Sequence, residues 1–218
     1  MKTKKISGSE AVVLSLLEEG VDTIFGYPGG AIMPIYDLLY DYQDKMKHIL
    51  TRHEQGAAHA AQGYSRVTGK VGVCMVTSGP GATNLTTGLA DAMLDSTPII
   101  CISGQVTSGL LGTDAFQETD VMGFSMPLTK WNVQITKAEE IPEMMARAFF
   151  IATTGRPGPV MIDITKDAQF AYLDFSYEKC RDVRSYVPRP PLRMEYVEQA
   201  AQLINNAKKP MALVGQGV

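Results

Sequence analysis

Short apolar runs punctuate the chain: TIFG (23–26), HILT (48–51), VGVCMVT (71–77), PIICIS (98–103), WNVQIT (131–136) and PVMIDI (159–164). Most are continuous and β-branched rather than alternating, the pattern of strands buried on both faces. Helical periods lie between them. EAVVLSLLEEG follows Ser7 and Ser9, either of which can cap it, and Gly20 suits the position just past its end. IMPIYDLLYDY, EQGAAHAAQGYSRVTG, GATNLTTGLADAMLDS and AEEIPEMMARAFFIATTG read as four more helices, two of them stopped at Gly69 and Gly155. Strand–helix alternation of this length predicts an α/β fold: a parallel six-stranded sheet with helices on both faces, over residues 1–175.

The texture changes near residue 177. Pro188, Pro190 and Pro191 sit among cations, so 176–192 reads as a linker. The amphipathic stretch MEYVEQAAQLINNAKKP and then MALVGQGV read as the helix and strand that begin a second α/β domain, 193–218. One helix and one strand cannot close a core, so the expectation is a piece of a longer protein.

The 218 residues are 45% hydrophobic and 20% charged, ordinary for a soluble domain, and the net charge is −3. That balance argues against nucleic acid or an anionic membrane as partner. No run of apolar residues is long enough to span a bilayer. The basic N-terminus lacks the apolar stretch of a secretory signal. Cys74, Cys101 and Cys180 are widely spaced and form no CxxC pair, and the first two lie inside apolar runs. They read as inert thiols in a reducing compartment, in keeping with a cytoplasmic location.

RHEQGAAH resembles a zinc-protease helix, but His53 and His59 are six residues apart. They are separated by about 600° of helical rotation and do not share a face. No metal site is expected. GYPGGA (26–31) and SGPGATN (78–84) each join a strand to a helix. The first lacks the lysine and hydroxyl of a P-loop. The second has Asn84 in place of the third glycine of a dinucleotide fingerprint, with no acidic residue ending the next strand. Tight turns alone account for the glycines. They do not account for the clustering of these two turns with 54–56 after parallel strands, whose carboxyl edge is where such sheets bind ligands. Glu54 is the only ionisable group in the three turns able to act as a proton-handling partner. Behind it Gly56, Ala60 and Gly63 share one helix face. Each helix glycine costs about 1 kcal/mol relative to alanine. Spacing leaves two reasons open: close packing on the domain's own sheet, or a subunit interface beside the ligand.

FGYPGGAIMPIYD, RHEQGAAHAAQGYSR, TSGPGATNLTTGLADAMLDSTP, GTDAFQETD, TKWNV and GRPGPVMIDITKD occur in that order over about residues 5–170. Together they resemble the pyrimidine-binding domain of thiamine diphosphate enzymes, on the acetolactate synthase (acetohydroxyacid synthase) side. The resemblance implies decarboxylation of pyruvate and its carboligation to pyruvate or 2-ketobutyrate, in branched-chain amino-acid synthesis. It implies that Glu54 hydrogen-bonds N1′ of the cofactor's aminopyrimidine. It places Tyr27, Pro28, Gly29, Thr77, Pro80 and Asn84 at the pyrimidine. Gln117 is implied at the reaction centre across a subunit boundary, beside Phe116. Lys130 and Lys166 are implied near the substrate channel and Arg156 at a flavin. Thr107 departs from the proline of many relatives. The resemblance further implies Mg²⁺ with ligands outside these residues, FAD mostly outside them, a homodimer or higher homo-oligomer, and a small regulatory subunit. It favours the interface reading of Gly56, Ala60 and Gly63. Pyruvate oxidase and 2-keto-acid decarboxylases share the glutamate and glycine turns but match 105–130 less well. A non-catalytic nucleotide-binding domain is the alternative of another class.

Overall fold

The computed structural model of the chain describes residues 4–215. β1 (Lys4–Ser7) runs directly into α1 (Gly8–Glu18), where the Ser7 hydroxyl accepts from the Glu10 amide at 3.2 Å. Gly20 follows at φ 79°, closing the helix in the left-handed conformation that glycine adopts without strain. Then come β2 (Thr23–Tyr27), α2 (Met33–Leu39), β3 (Lys47–Leu50), α3 (Glu54–Thr68) and β4 (Gly72–Val76). They are followed by α4 (Pro80–Thr83), α5 (Thr86–Leu94), β5 (Ile99–Gln105), α6 (Val121–Ser125) and β6 (Trp131–Ile135). The remainder is α7 (Ile141–Thr153), β7 (Val160–Thr165), α8 (Lys166–Phe170), β8 (Tyr172–Phe175) and α9 (Met194–Asn206).

The six predicted runs form one parallel sheet in the order β3-β2-β4-β5-β7-β6. Alternate side chains feed two cores. On one face Ile24, Met75, Ile102 and Ile164 pack under α1, α2 and α7. On the other Cys74, Val76, Cys101 and Met161 pack under α3, α5 and α6. Both faces being covered explains why the strands read as unbroken apolar runs. Cys74 and Cys101 are opposite each other on neighbouring strands, buried, with their sulfurs 3.2 Å apart.

Two expectations need correction, and two features were not foreseen. The stretch 81–96 is two helices, because Asn84 ends α4 and turns its side chain toward Glu54. β1 and β8 form a separate antiparallel pair that four-residue polar segments did not betray. α6 and α8 span five residues each, too few for a helical period to show. The strand expected over 211–218 is absent among the described residues 211–215, and 216–218 lie outside the described residues. Leu213 is 97% exposed there, and an unpaired strand leaves its backbone hydrogen bonds unmade within the protein. Among the described residues no helix is long and apolar enough to cross a membrane.

Candidate functional site

Parallel strands deliver every βα turn to one edge of the sheet. Three of these turns, after β2, β3 and β4, sit side by side because their strands are neighbours in the sheet. The turn after β3 starts α3. His53 is its N-cap, its Nδ1 accepting from the Gln55 amide at 3.1 Å. Glu54 is therefore the first helical residue, where the helix dipole favours an anion. Its side chain tucks inward, 9% exposed. Asn84 Nδ2 donates to Glu54 Oε2 at 2.9 Å. Oε1 takes no hydrogen bond among the described residues.

The glycine turns meet at Thr77. The Ala31 amide donates to Thr77 Oγ1 at 3.3 Å, tying the turn after β2 to the end of β4. A Cβ on Gly29 would fall 2.5 Å from Thr77 Cβ, and one on Gly81 would fall 2.8 Å from Thr77 Cγ2 and 3.6 Å from Glu54 Oε1. These glycines let the turns pack against Thr77 at the carboxyl-edge crevice, where Glu54 is the only carboxylate among the three turns. Tyr36 stands beneath it: its hydroxyl donates to the Met75 carbonyl at 2.9 Å. Burial, with lesser contributions from Cys74 and Glu54, pushes that phenol far above its ordinary range.

The structure brings together most of the residues singled out in the sequence. Tyr27 is 41% exposed at the rim, with Pro28 and Gly29 half-buried beside it. Thr77 is buried, Pro80 exposed and Asn84 half-buried. Phe116 and Gln117 are exposed on the loop after β5. Gln117 has φ 58°, and its backbone abuts Gly79, where a Cβ would lie 2.6 Å from the Gln117 carbonyl oxygen. Lys166 opens α8 at the same edge. Thr107 has φ −61°, the value that proline imposes.

Lys130 and Arg156 are not brought to Glu54. They precede β6 and β7 and so lie at the opposite, amino edge. Lys130 Nζ donates to the carbonyls of Ile151 and of Thr154, the latter at 2.7 Å, and to Tyr186 Oη at 3.1 Å. Arg156 donates to the carbonyls of Met93 and Leu94, each at 3.0 Å, and to Ser96 Oγ at 2.8 Å. Each cation thus closes the carbonyl end of a helix, where positive charge is favoured.

The sequence reading missed Gln105, Asp163 and Gln169. Gln169 Nε2 donates to the Ala31 carbonyl at 2.8 Å and so holds the turn after β2 from below. The available signal was polar residues at the ends of otherwise apolar strands. Among the described residues no group of three or more His, Cys, Asp or Glu could hold a metal ion. His59 is exposed, 3.7 Å from Asp91.

The site joins a shielded carboxylate with one oxygen free of hydrogen bonds among the described residues to glycine turns packed tightly on Thr77. Residues 6–124 match the family described as thiamine pyrophosphate enzyme, N-terminal TPP binding domain (the pyrophosphate is the diphosphate by another name). The chain is 54% identical over 215 residues to the acetolactate synthase large subunit of Corynebacterium glutamicum, covering 99% of this chain and 34% of that protein. It is 54% identical over 213 residues to the acetolactate synthase isozyme 2 large subunit of Escherichia coli, covering 98% of this chain and 38% of that protein. It is 52% identical over 216 residues to a probable acetolactate synthase large subunit of Methanocaldococcus jannaschii, covering 98% of this chain and 36% of that protein. The chain spans about a third of the length of these relatives.

Proposed function

The chain belongs to the thiamine pyrophosphate enzymes, as their N-terminal cofactor-binding domain, and from that premise we propose that it is the N-terminal part of an acetolactate synthase large subunit. Its reaction is the decarboxylation of pyruvate and carboligation to a second 2-keto acid, pyruvate or 2-ketobutyrate. The observation that carries this reading is the Glu54–Asn84 pair in the glycine-lined cleft, joined to the names of the relatives.

When bound, thiamine diphosphate supplies a carbon nucleophile and an electron sink. The residues of this chain orient and polarise it. Glu54 Oε1 would hydrogen-bond N1′ of the aminopyrimidine and so favour its imino tautomer. Asn84, by holding Oε2 at 2.9 Å, fixes the carboxylate in the plane that contact requires. Thr77, Gly29 and Gly81 shape the slot, and Tyr27, Pro28 and Pro80 form its rim. Gln117 and Phe116 face the reacting carbons, and Lys166 stands by the keto-acid path. Mg²⁺ ligands and most of an FAD site would come from parts of the whole protein outside these residues, as would the body of a central domain that α9 begins. The channel role of Lys130 and the flavin role of Arg156 require a second subunit or domain that reaches the amino edge. A small regulatory subunit completes the proposed assembly.

The proposed homodimer has support in α3. Cβ atoms added at Gly56 and Gly63 would meet nothing within 4 Å. Packing on the domain's own sheet therefore does not require those glycines. Ala58 and Ala61 fill that role instead: a Cβ on Gly88 would lie 2.4 Å from Ala58 Cβ, and one on Gly72 would lie 2.0 Å from the Ala61 carbonyl oxygen. The open face of Gly56, Ala60 and Gly63 suits a second copy, close beside Glu54.

The decisive experiment uses the full-length protein with thiamine diphosphate, Mg²⁺ and pyruvate, and measures acetolactate. Glu54→Gln loses most of the turnover with its thermal unfolding unchanged. Full turnover in that variant would remove the role given to Glu54. Carbon dioxide release without acetolactate would indicate a decarboxylase instead.

A further inference from the structure

Asp163 lies on β7 with none of its surface exposed and touches nothing in the cleft. Its carboxylate is surrounded by neutral donors. Ser103 Oγ donates to Oδ1 at 2.5 Å; Gln105 Nε2 and Gln134 Nε2 donate to Oδ2 at 3.1 and 2.9 Å. Among the described residues it has no ion-pair partner. Burial raises its pKa above the ordinary carboxylate value. A buried acid is costly to keep, and three side-chain donors are a large outlay for a site that a leucine would fill.

The network leads outward. Gln105 Nε2 also donates to the Thr119 carbonyl at 3.1 Å, while Gln105 Oε1 accepts from the Val106 amide at 2.9 Å. Both amide ends are occupied, so the side chain cannot flip. Thr119 is two residues from Gln117, whose left-handed backbone rests on Gly79. On the next strand Asn132 Nδ2 holds the following helix, donating to the Met122 carbonyl at 2.8 Å and to Ser125 Oγ at 2.9 Å.

We propose that Asp163 is a positioning residue: acting through Gln105, it sets segment 113–120 over the carboxyl edge and so places Phe116 and Gln117 against the Glu54 cleft. The proposal rests on the functional reading above for what the segment faces, but not for what holds the segment.

The test compares Asp163→Leu and Gln105→Met in the full-length protein. Leucine fills the site with no acceptor, so the Gln105 and Gln134 amides both lose their bond to residue 163. Methionine keeps the length of residue 105 and releases Thr119. Both variants should raise amide exchange within 113–120 by about tenfold, the signature of local opening, while α3 and β4 stay protected. Both should lower kcat/KM for pyruvate by about tenfold to a hundredfold, the scale on which a displaced reacting group acts. The dissociation constant for thiamine diphosphate should move less than about twofold, since Glu54 and Asn84 are untouched. Adding Asp163→Leu to Gln105→Met should change kcat/KM by less than about twofold, because the effect passes through Gln105.

Unchanged exchange in 113–120 overturns the proposal, as does full additivity of the two substitutions. So does exchange that rises equally along β5 and β7 with weakened cofactor binding, the mark of an ordinary core residue. Gln134→Met is the control, removing a partner of Asp163 without touching Thr119; it should leave 113–120 protected. If Asp163→Leu fails to fold, Gln105→Met set against Gln134→Met decides. Absence of thiamine diphosphate-dependent turnover in the unsubstituted protein counts against the functional reading alone, and the exchange result still judges the positioning role.

Discussion

A carboxylate with two equivalent oxygens becomes directional when one of them is occupied, and Asn84 occupies Oε2 of Glu54 at 2.9 Å. Asn84→Ala frees the carboxylate to rotate. Loss of one hydrogen bond to a charged group is worth about 1.5 kcal/mol or more, so titration calorimetry should find thiamine diphosphate bound about tenfold more weakly. An unchanged affinity would show that packing alone orients Glu54. His48 makes a separate prediction. It is half-buried, its Nε2 has no partner and its ring meets Tyr36 edge-on at 5.0 Å. Burial lowers its pKa from 6.5. The unfolded chain therefore takes up the proton first as pH falls. Stability from this source is complete above pH 6.5 and declines as pH drops through 6.5 toward the folded value. Denaturant titrations between neutral and mildly acid pH should show a shallower loss for His48→Gln than for the unsubstituted protein. Equal slopes would rule His48 out as the source.

At the scale of elements, α3 combines two kinds of small residue with different purposes. Its alanines let β4 and α5 approach; its glycines face outward with nothing within 4 Å of an added Cβ. Gly56→Ala and Gly63→Ala should each favour the folded subunit by about 0.5–1 kcal/mol through helix propensity. The same substitutions should weaken self-association if that face meets a second copy. Sedimentation equilibrium of the full-length double variant tests this, and an undiminished dimer would return the glycines to chance. Arg156 marks the other end of the molecule. Its bonds to Met93 and Leu94 close α5. Arg156→Ala should cost about 1 kcal/mol of stability in thermal melts, whatever else the arginine does.

For the whole molecule, the parallel sheet separates labour between its edges. The carboxyl edge gathers Tyr27, Glu54, Thr77, Gln117 and Lys166, while the amino edge gathers structural pairs. There Lys70 Nζ donates to Asp22, and Tyr64 Oη donates to Asp22 Oδ1 at 2.5 Å. These bonds, Lys70 first, hold the Asp22 carboxyl at about 2. The stability they add is present above the unfolded pKa and is lost as pH falls toward about 2. The pair is half exposed, so solvent screens it and keeps that contribution small.

The sequence by itself determined the fold class, the six sheet strands and the singular status of Glu54. Strand burial on both faces and helix periods are local patterns, and a lone carboxylate among glycine turns needs no coordinates to be noticed. β1 and β8 were not legible because KKIS and YLDF lack an unbroken apolar run, and α6 and α8 because five residues are too few to show a helical period. The split at Asn84 was hidden because a side chain from another turn decides it. Only the tertiary structure paired Asn84 with Glu54, sent Lys130 and Arg156 to the far edge, and divided the small residues of α3 into packed alanines and open glycines. It also linked Asp163 to the loop of Gln117, through strands 58 residues apart at Gln105 and Asp163. Such contacts depend on strand order, which places β7 between β5 and β6, and sequence spacing does not encode which strands become neighbours.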